Sequence, residues 1–142
     1  MSEQSRLNGV RVLVVDDARY VLDVLRDMLM GSGAKVTAVD SADEALDVLQ
    51  RERPDVLLSD LSMPGKGGYW LIGQVRTLSP GQGGATPAAA LTAYTTPEHR
   101  ASVIRAGFQD HVGKPVGLRE LIDVVATLAL KEQPSGRLVD RN

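Results

Sequence analysis

The sequence predicts an α/β domain: a doubly wound five-stranded parallel sheet with helices on both faces. Three observations carry this. Five short apolar runs alternate with stretches whose apolar residues recur at helical spacing. Such strand–helix alternation requires parallel pairing through right-handed crossovers, which places helices on both faces of one sheet. The length of 142 residues suits one compact domain, and 43% apolar residues with only 4% aromatic predict an aliphatic core.

The elements follow in order. Arg11 to Val15 is a continuous β-branched run, as expected of a strand buried on both faces, and it stops at Asp16-Asp17. Val21, Val24, Leu25, Met28 and Leu29 mark the first helix, with Gly31 or Gly33 as its stop. Lys35 to Val39 is the second strand. Ser41 followed by Glu44 is a capping box that opens a helix through about Gln50, and Pro54 lies beyond it. Asp55 to Ser59 is the third strand, ending at Asp60. The Pro- and Gly-rich loop Leu61 to Gly68 delays the next helix, whose stripe is Tyr69, Leu71, Ile72, Val75 and Leu78. Ser79 to Ala85 reads as a flexible connection, and Pro87 to Leu91 as a fourth strand ending at Thr92. Thr96 as N-cap with Pro97 in the first helical position starts a helix that Gly107 closes. His111 to Gly113 is a weak fifth strand ending at Lys114-Pro115. Leu118, Leu121, Ile122, Val125 and Leu128 mark the last helix. Residues 1–9 and 131–142 are polar and are expected to form a flexible lead and a flexible tail around a domain spanning 10–130.

Composition excludes several classes. With 16 basic and 18 acidic residues, the formal charge of −2 argues against a broad nucleic-acid-binding surface. The absence of cysteine rules out disulfides, thiol catalysis and thiolate-bound metals. No apolar run approaches the roughly 18 residues of a membrane span, and the polar start lacks the apolar stretch of a secretory signal. The cytoplasm is the expected compartment, with no membrane or direct nucleic-acid partner.

The chemistry lies where the strands end. Asp16 and Asp17 follow the first strand, Asp60 the third, Thr92 the fourth and Lys114 the fifth. In a parallel sheet these carboxyl ends share one edge, the edge at which open α/β sheets bind ligands. Any one of them alone has an ordinary explanation: a helix cap, a loop carboxylate, a turn hydroxyl, a solvated charge. Complementary groups at four strand ends do not. Two unit charges about 4 Å apart cost about 4 kcal/mol at an effective dielectric of about 20, so a carboxylate cluster either protonates a member or takes up a cation. Oxygen-only ligands select a hard ion such as Mg²⁺, while Lys114 and Thr92 suit phosphoryl oxygens. The set points to phosphoryl transfer with a carboxylate acceptor.

From Val10 to Leu130 the chain resembles a response-regulator receiver domain of two-component signalling, with the flavodoxin-like fold. The resemblance rests on VLVVDD (Val12 to Asp17), DVLLSDLSMPGKGG (Asp55 to Gly68), ALTAYT (Ala90 to Thr95) and AGFQDHVGKP (Ala106 to Pro115). It implies that Asp60 is the phosphoacceptor, taking its phosphoryl group from a histidine kinase, a histidine phosphotransfer protein or a small phosphodonor. Asp16 and Asp17 would hold Mg²⁺ together with Asp60 and the backbone carbonyl of Ser62. Thr92 and Lys114 would each engage a phosphoryl oxygen, and the Lys114–Pro115 peptide bond would be cis. The module is not expected to be an enzyme beyond assisting its own phosphorylation and dephosphorylation. Its output would pass through a partner, through phosphorylation-dependent dimerisation, or through relay of the phosphoryl group. The segment GFQDHVGKPV and the Gly-rich stretch before the fourth strand resemble receivers attached to hybrid histidine kinases, so a stand-alone protein and an excised module both stay open.

One position departs from the family. Where Tyr or Phe is usual, His111 precedes Lys114 by three residues. Either it packs at the sheet edge, or it swings inward as a switch together with Thr92, with the pH sensitivity of an imidazole. His99, at an exposed helix start, reads as surface, and Tyr94 either shields the acyl phosphate or covers a helix. The competing reading is a haloacid-dehalogenase-like phosphatase with Asp60 as nucleophile, but that family needs a second Asp where this chain has Ser62.

Overall fold

The computed structural model describes residues 5–131. Five strands, β1 (Arg11–Val15), β2 (Lys35–Val39), β3 (Val56–Asp60), β4 (Ala88–Thr92) and β5 (Asp110–Gly113), alternate with five helices, α1 (Arg19–Gly31), α2 (Ala42–Glu52), α3 (Gly68–Thr77), α4 (Pro97–Ala106) and α5 (Leu118–Lys131). The strands form one sheet in the order β2-β1-β3-β4-β5, and every pairing is parallel. The chain reverses direction across the sheet between β1 and β3, so their carboxyl ends flank the crevice where such sheets place their ligands.

Period-two alternation divides the core into two layers. Val12 and Val14 of β1, Val56 and Leu58 of β3, and Ala89 and Leu91 of β4 pack with Leu22, Leu25 and Leu29 of α1 and Leu121, Ile122 and Val125 of α5. Leu13 and Val15, Leu57, and Ala88 and Ala90 face the other way, toward α2, α3 and α4, against Val48, Leu49, Leu71, Ile72, Val75 and Val103. Strands buried on both faces explain why their sequences are continuously apolar. The helix signals hold where hydrogen bonds can be traced. Ser41 Oγ accepts from the Glu44 amide at 3.2 Å, and Thr96 Oγ1 accepts from the His99 amide at 3.1 Å, each satisfying a free donor of the first turn. At the end of α1 it is Gly33, with φ +98°, that takes the left-handed turn.

Four expectations need correction. First, β3 and β4 each run one residue further than expected, so Asp60 and Thr92 are the last residues of their strands rather than the first beyond them. Pairing carries them in: Asp60 lies opposite Leu91, and the Leu61 amide still bonds the Leu91 carbonyl. Asp55 is freed from the strand, and its side chain accepts from the Arg11 amide at 2.9 Å. Second, the lead is not all flexible. Leu7 is fully buried in the α1/α5 layer, with its amide on the Ser32 carbonyl, because an apolar side chain beside the open end of α1 gains more from burial than chain freedom costs. The tail expected over 131–142 lies outside the described residues, apart from residue 131.

Third, α2 continues to Glu52, and Arg53 at φ 52° turns the chain ahead of Pro54. Fourth, the connection after α3 is ordered. It contains a 3₁₀ turn, Pro80–Gln82, whose Ser79 and Gln82 side chains cap it reciprocally. Arg76 holds this segment from the end of α3: its guanidinium donates to the carbonyls of Gly107 (2.9 Å), Gly84 (2.9 Å) and Thr86 (2.7 Å), and to Gln109 Oε1 (3.1 Å). Gln109 Oε1 also accepts from the Ala88 amide at 2.7 Å. One planar fork thus ties α3, the entry to β4 and the entry to β5 together. Hydrogen bonds to a charged group contribute about 1.5–3 kcal/mol each, and not additively. We therefore expect Arg76→Ala to destabilise the domain by about 2–3 kcal/mol, read as the midpoint of urea unfolding. Arg76→Lys should recover little, because an ammonium cannot reproduce the fork.

Candidate functional site

Asp16, Asp17 and Asp60 converge at the β1/β3 crevice, each offering a carboxylate oxygen within 4.8 Å of the others. Asp16 and Asp60 are buried, at 1% and 5% exposure, while Asp17 is exposed. Lys114, just past β5, bridges the two buried acids: its Nζ lies 3.0 Å from Asp16 Oδ2 and 3.0 Å from Asp60 Oδ1. The other oxygen of Asp16 accepts from the Ala18 amide at 2.9 Å, which fixes the turn out of β1. Three carboxylates against one ammonium leave the crevice with an excess of two negative charges.

The electrostatics follow from burial. Desolvation raises the Asp60 carboxyl above its ordinary value of 3.8. Hydrogen bonding from Lys114 and from the Ser62 backbone, with the Lys114 charge, pulls it down, the Asp16 charge pushes it up, and the balance remains upward. Lys114 experiences the reverse contest. Burial opposes its charge, but its hydrogen bonds to Asp16 and Asp60 and their negative charges outweigh that, and its pKa rises above 10.5.

Local sequence explains how Asp60 is presented. The Gly68 amide bonds the Leu61 carbonyl, and a Cβ on Gly68 would lie 2.5 Å from the Asp60 carbonyl oxygen, so only glycine lets α3 start directly against the end of β3. The loop between them is tethered by Lys66, whose Nζ lies 3.0 Å from Asp43 Oδ1 and 4.6 Å from the centre of the Trp70 ring. A cleft of about 400 Å³, lined by Asp17, Asp40, Asp43, Met63 and Lys66 among others, opens beside this loop, with Asp17 the one member of the acidic cluster on its wall. The Lys114–Pro115 peptide bond is cis.

Strand parity separates the remaining residues. Asp60 continues the face of Val56 and Leu58. Thr92 continues that of Ala88 and Ala90, toward α4. His111, opposite Ala90 in register, sits on that same α4 side, and Arg100 Nη1 of α4 donates to its Nδ1 at 3.3 Å. Thr92 is buried, and among the described residues its hydroxyl bonds neither Asp60 nor Lys114. It accepts from the Tyr94 amide at 3.0 Å and lies 3.1 Å from Nε2 of His99. The expectation that His99 is merely surface is therefore corrected: its ring is bonded to Thr92 and covered by Tyr94, which meets it edge-on at 5.7 Å. The signal was present in the parity of Thr92 and in the Thr96-Pro97 helix start, which together put the first turn of α4 over the Thr92 hydroxyl.

Residues 12–126 match the model of the response regulator receiver domain. The chain belongs to the response-regulator receiver family. The receiver is 46% identical over 123 residues to an uncharacterised 14.6 kDa protein of Leptolyngbya boryana, covering 87% of this chain and 92% of that one. It is 39% identical over 126 residues to the response regulator FleR of Pseudomonas aeruginosa, covering 89% of this chain but only 26% of that protein. Among solved structures, it superposes with a TM-score of 0.77 at 29% identity on the receiver domain of the Pseudomonas aeruginosa sensor histidine kinase PA1611, covering 85% of this chain and 98% of that one; a magnesium ion is coordinated in the active-site cleft of that domain. Receivers thus match this chain both from response regulators and from sensor kinases. The phosphatase alternative gains no support, and its required second carboxylate is absent at Ser62. No helix among the described residues is long and apolar enough to cross a membrane.

The oxygen-only donors, the uncompensated charge and the raised Asp60 pKa all fit a hard divalent cation. The raised pKa also fixes the sign of a stability effect. The folded state holds the Asp60 proton more tightly than the unfolded chain does, so this group's contribution is favourable below about pH 3.8 and is lost as pH rises through the folded pKa. At neutral pH the buried carboxylate therefore destabilises the metal-free protein. Asp60→Asn is expected to raise the melting temperature in chelator-treated buffer at pH 7, by about 3 °C for each kcal/mol relieved. The gain should shrink as pH falls toward 4, and again when Mg²⁺ is added to both proteins.

Proposed function

We propose that Asp60 is the phosphoacceptor of a two-component signalling module, charged by a phosphohistidine of a histidine kinase or histidine phosphotransfer protein. The observation that carries this reading is the Lys114 bridge, which holds a buried, solvent-stripped carboxylate beside two further acids. Asp16, Asp17 and Asp60, with the backbone carbonyl of Ser62, would hold Mg²⁺, which when bound neutralises charge on the phosphoryl oxygens.

In the reaction an oxygen of Asp60 forms the new P–O bond as the P–N bond of the donor breaks, and the departing imidazole nitrogen keeps the electron pair and takes up a proton. Burial that raises the Asp60 pKa also makes its anion a better nucleophile, since it is poorly solvated. Lys114 is already placed against Asp60 and pairs with a phosphoryl oxygen once one is present. Thr92 donates its hydroxyl to another, and His111, on the same face, follows it inward as the switch. The partner that brings the phosphohistidine can use the groove of about 220 Å³ lined by Tyr20, Val21, Val24, Lys114, Pro115 and Val116. Such partners act in the cytoplasm, where we place this module; the same groups assist hydrolysis of the phosphoryl group when water takes the partner's place.

Incubation with acetyl phosphate and Mg²⁺ followed by intact-mass measurement is expected to give a single phosphoryl adduct on the wild type and none on Asp60→Ala. An adduct that survives Asp60→Ala would overturn the assignment. Lys114→Ala should still be phosphorylated, at a rate lower by about tenfold to a hundredfold.

A further inference from the structure

The Thr92 hydroxyl carries one proton and can make one donated hydrogen bond. Phosphoryl oxygens only accept, so Thr92 can bind a phosphoryl group on Asp60 only by giving up that proton to it. In the structure the hydroxyl is engaged elsewhere. The Tyr94 amide fills one of its lone pairs at 3.0 Å, and Nε2 of His99, 3.1 Å away, accepts its proton in the ring tautomer protonated at Nδ1; the Tyr94 carbonyl, the other acceptor within reach, is at 3.5 Å, the limit of a hydrogen bond. Because Thr92 shares the strand face of Ala88 and Ala90 rather than that of Asp60, the engaged orientation points to α4, and binding a phosphoryl group requires rotation about χ1 and loss of the His99 contact.

His99 is also built into the start of α4. Its amide bonds Thr96 Oγ1, the N-cap of that helix, and Tyr94 packs edge-on against its ring. Among the described residues α4 has the fewest buried residues of the five helices: Val103 alone, against three in α1, four each in α2 and α3, and Leu121, Ile122, Val125, Leu128 and Ala129 in α5. A contact at its first turn therefore weighs more here than it would on a deeply packed helix.

We propose that His99, through Nε2 on Thr92 Oγ1, is a positioning residue that holds the Thr92 hydroxyl in its outward orientation and ties its release to the first turn of α4. Loading Asp60 must break this contact, so His99 sets how readily the module adopts its phosphorylated arrangement. The inference rests on Asp60 as phosphoacceptor and on Thr92 as a phosphoryl ligand.

The test uses beryllofluoride with Mg²⁺, a stable mimic of a phosphoryl group on a carboxylate, titrated calorimetrically into the full chain. His99→Ala is expected to bind it about fivefold more tightly than wild type, the size of one partly exposed hydrogen bond. His99→Gln, whose side-chain oxygen can again accept from Thr92, should return toward the wild-type affinity. Thr92→Ala should weaken binding, and adding His99→Ala to it should then change the affinity no further. A His99→Ala protein that binds no more tightly than wild type, or a gain that persists with Thr92→Ala, overturns the latch while leaving the phosphoacceptor assignment intact. Absence of beryllofluoride binding in the wild type itself overturns that assignment, and the latch with it.

Discussion

Two carboxylates that are almost wholly removed from solvent sit at the rim of the sheet, and the ammonium of Lys114 bridges them at 3.0 Å to each. Without it, Asp16 and Asp60 would be unpaired buried charges facing one another, an arrangement that costs several kcal/mol. The bridge in turn requires that β1, β3 and β5 end level with one another, and hence the strand order with its reversal between β1 and β3. It leaves the crevice underneutralised, because one cation faces three acids. The residual negative charge and the oxygen-only donors fit a divalent cation, and the raised Asp60 pKa comes at some expense to the stability of the metal-free fold.

Around that bridge, strand alternation sorts the functional groups into two sets. Asp16, Asp60 and Lys114 gather on the crevice, while Thr92 and His111 belong to the face covered by α4. A group on the second set has to reorient to meet a ligand on the first. Under the proposed function, this separation would convert a change of charge at Asp60 into a change of contacts against a helix, the type of event by which phosphorylation reaches a distant surface. That helix has Val103 as its single buried residue.

Stability is distributed to match. At the opposite end of the sheet, Arg76 clamps α3 and the entries to β4 and β5 with four hydrogen bonds, and Arg11 anchors the start of β1 to Asp55 and to the carbonyls of Glu52 and Arg53. These hydrogen bonds cross-link the segments that enter β1, β4 and β5. The site end carries the unbalanced charges and the lightly held helix. Rigid support beneath a charged rim is what a site needs if its residues are to move without disturbing the sheet.

The primary sequence by itself determined the fold class, the five strands and five helices, and the gathering of Asp16, Asp17, Asp60, Thr92 and Lys114 at one edge. These depend on local periodicity and on the rule that parallel strands end together, both properties of consecutive residues. Only the tertiary structure decided the rest. The last residues of β3 and β4 were assigned by cross-strand pairing, Leu7 was buried by its packing in the α1/α5 layer, and the apparently loose Ser79 to Ala85 stretch was ordered by Arg76 and by its own capping side chains. His99 gained its role because α4 lands over the Thr92 hydroxyl. Each of these is a contact between residues whose neighbours in sequence do not announce it, since the energy that orders them comes from a surface supplied by another element.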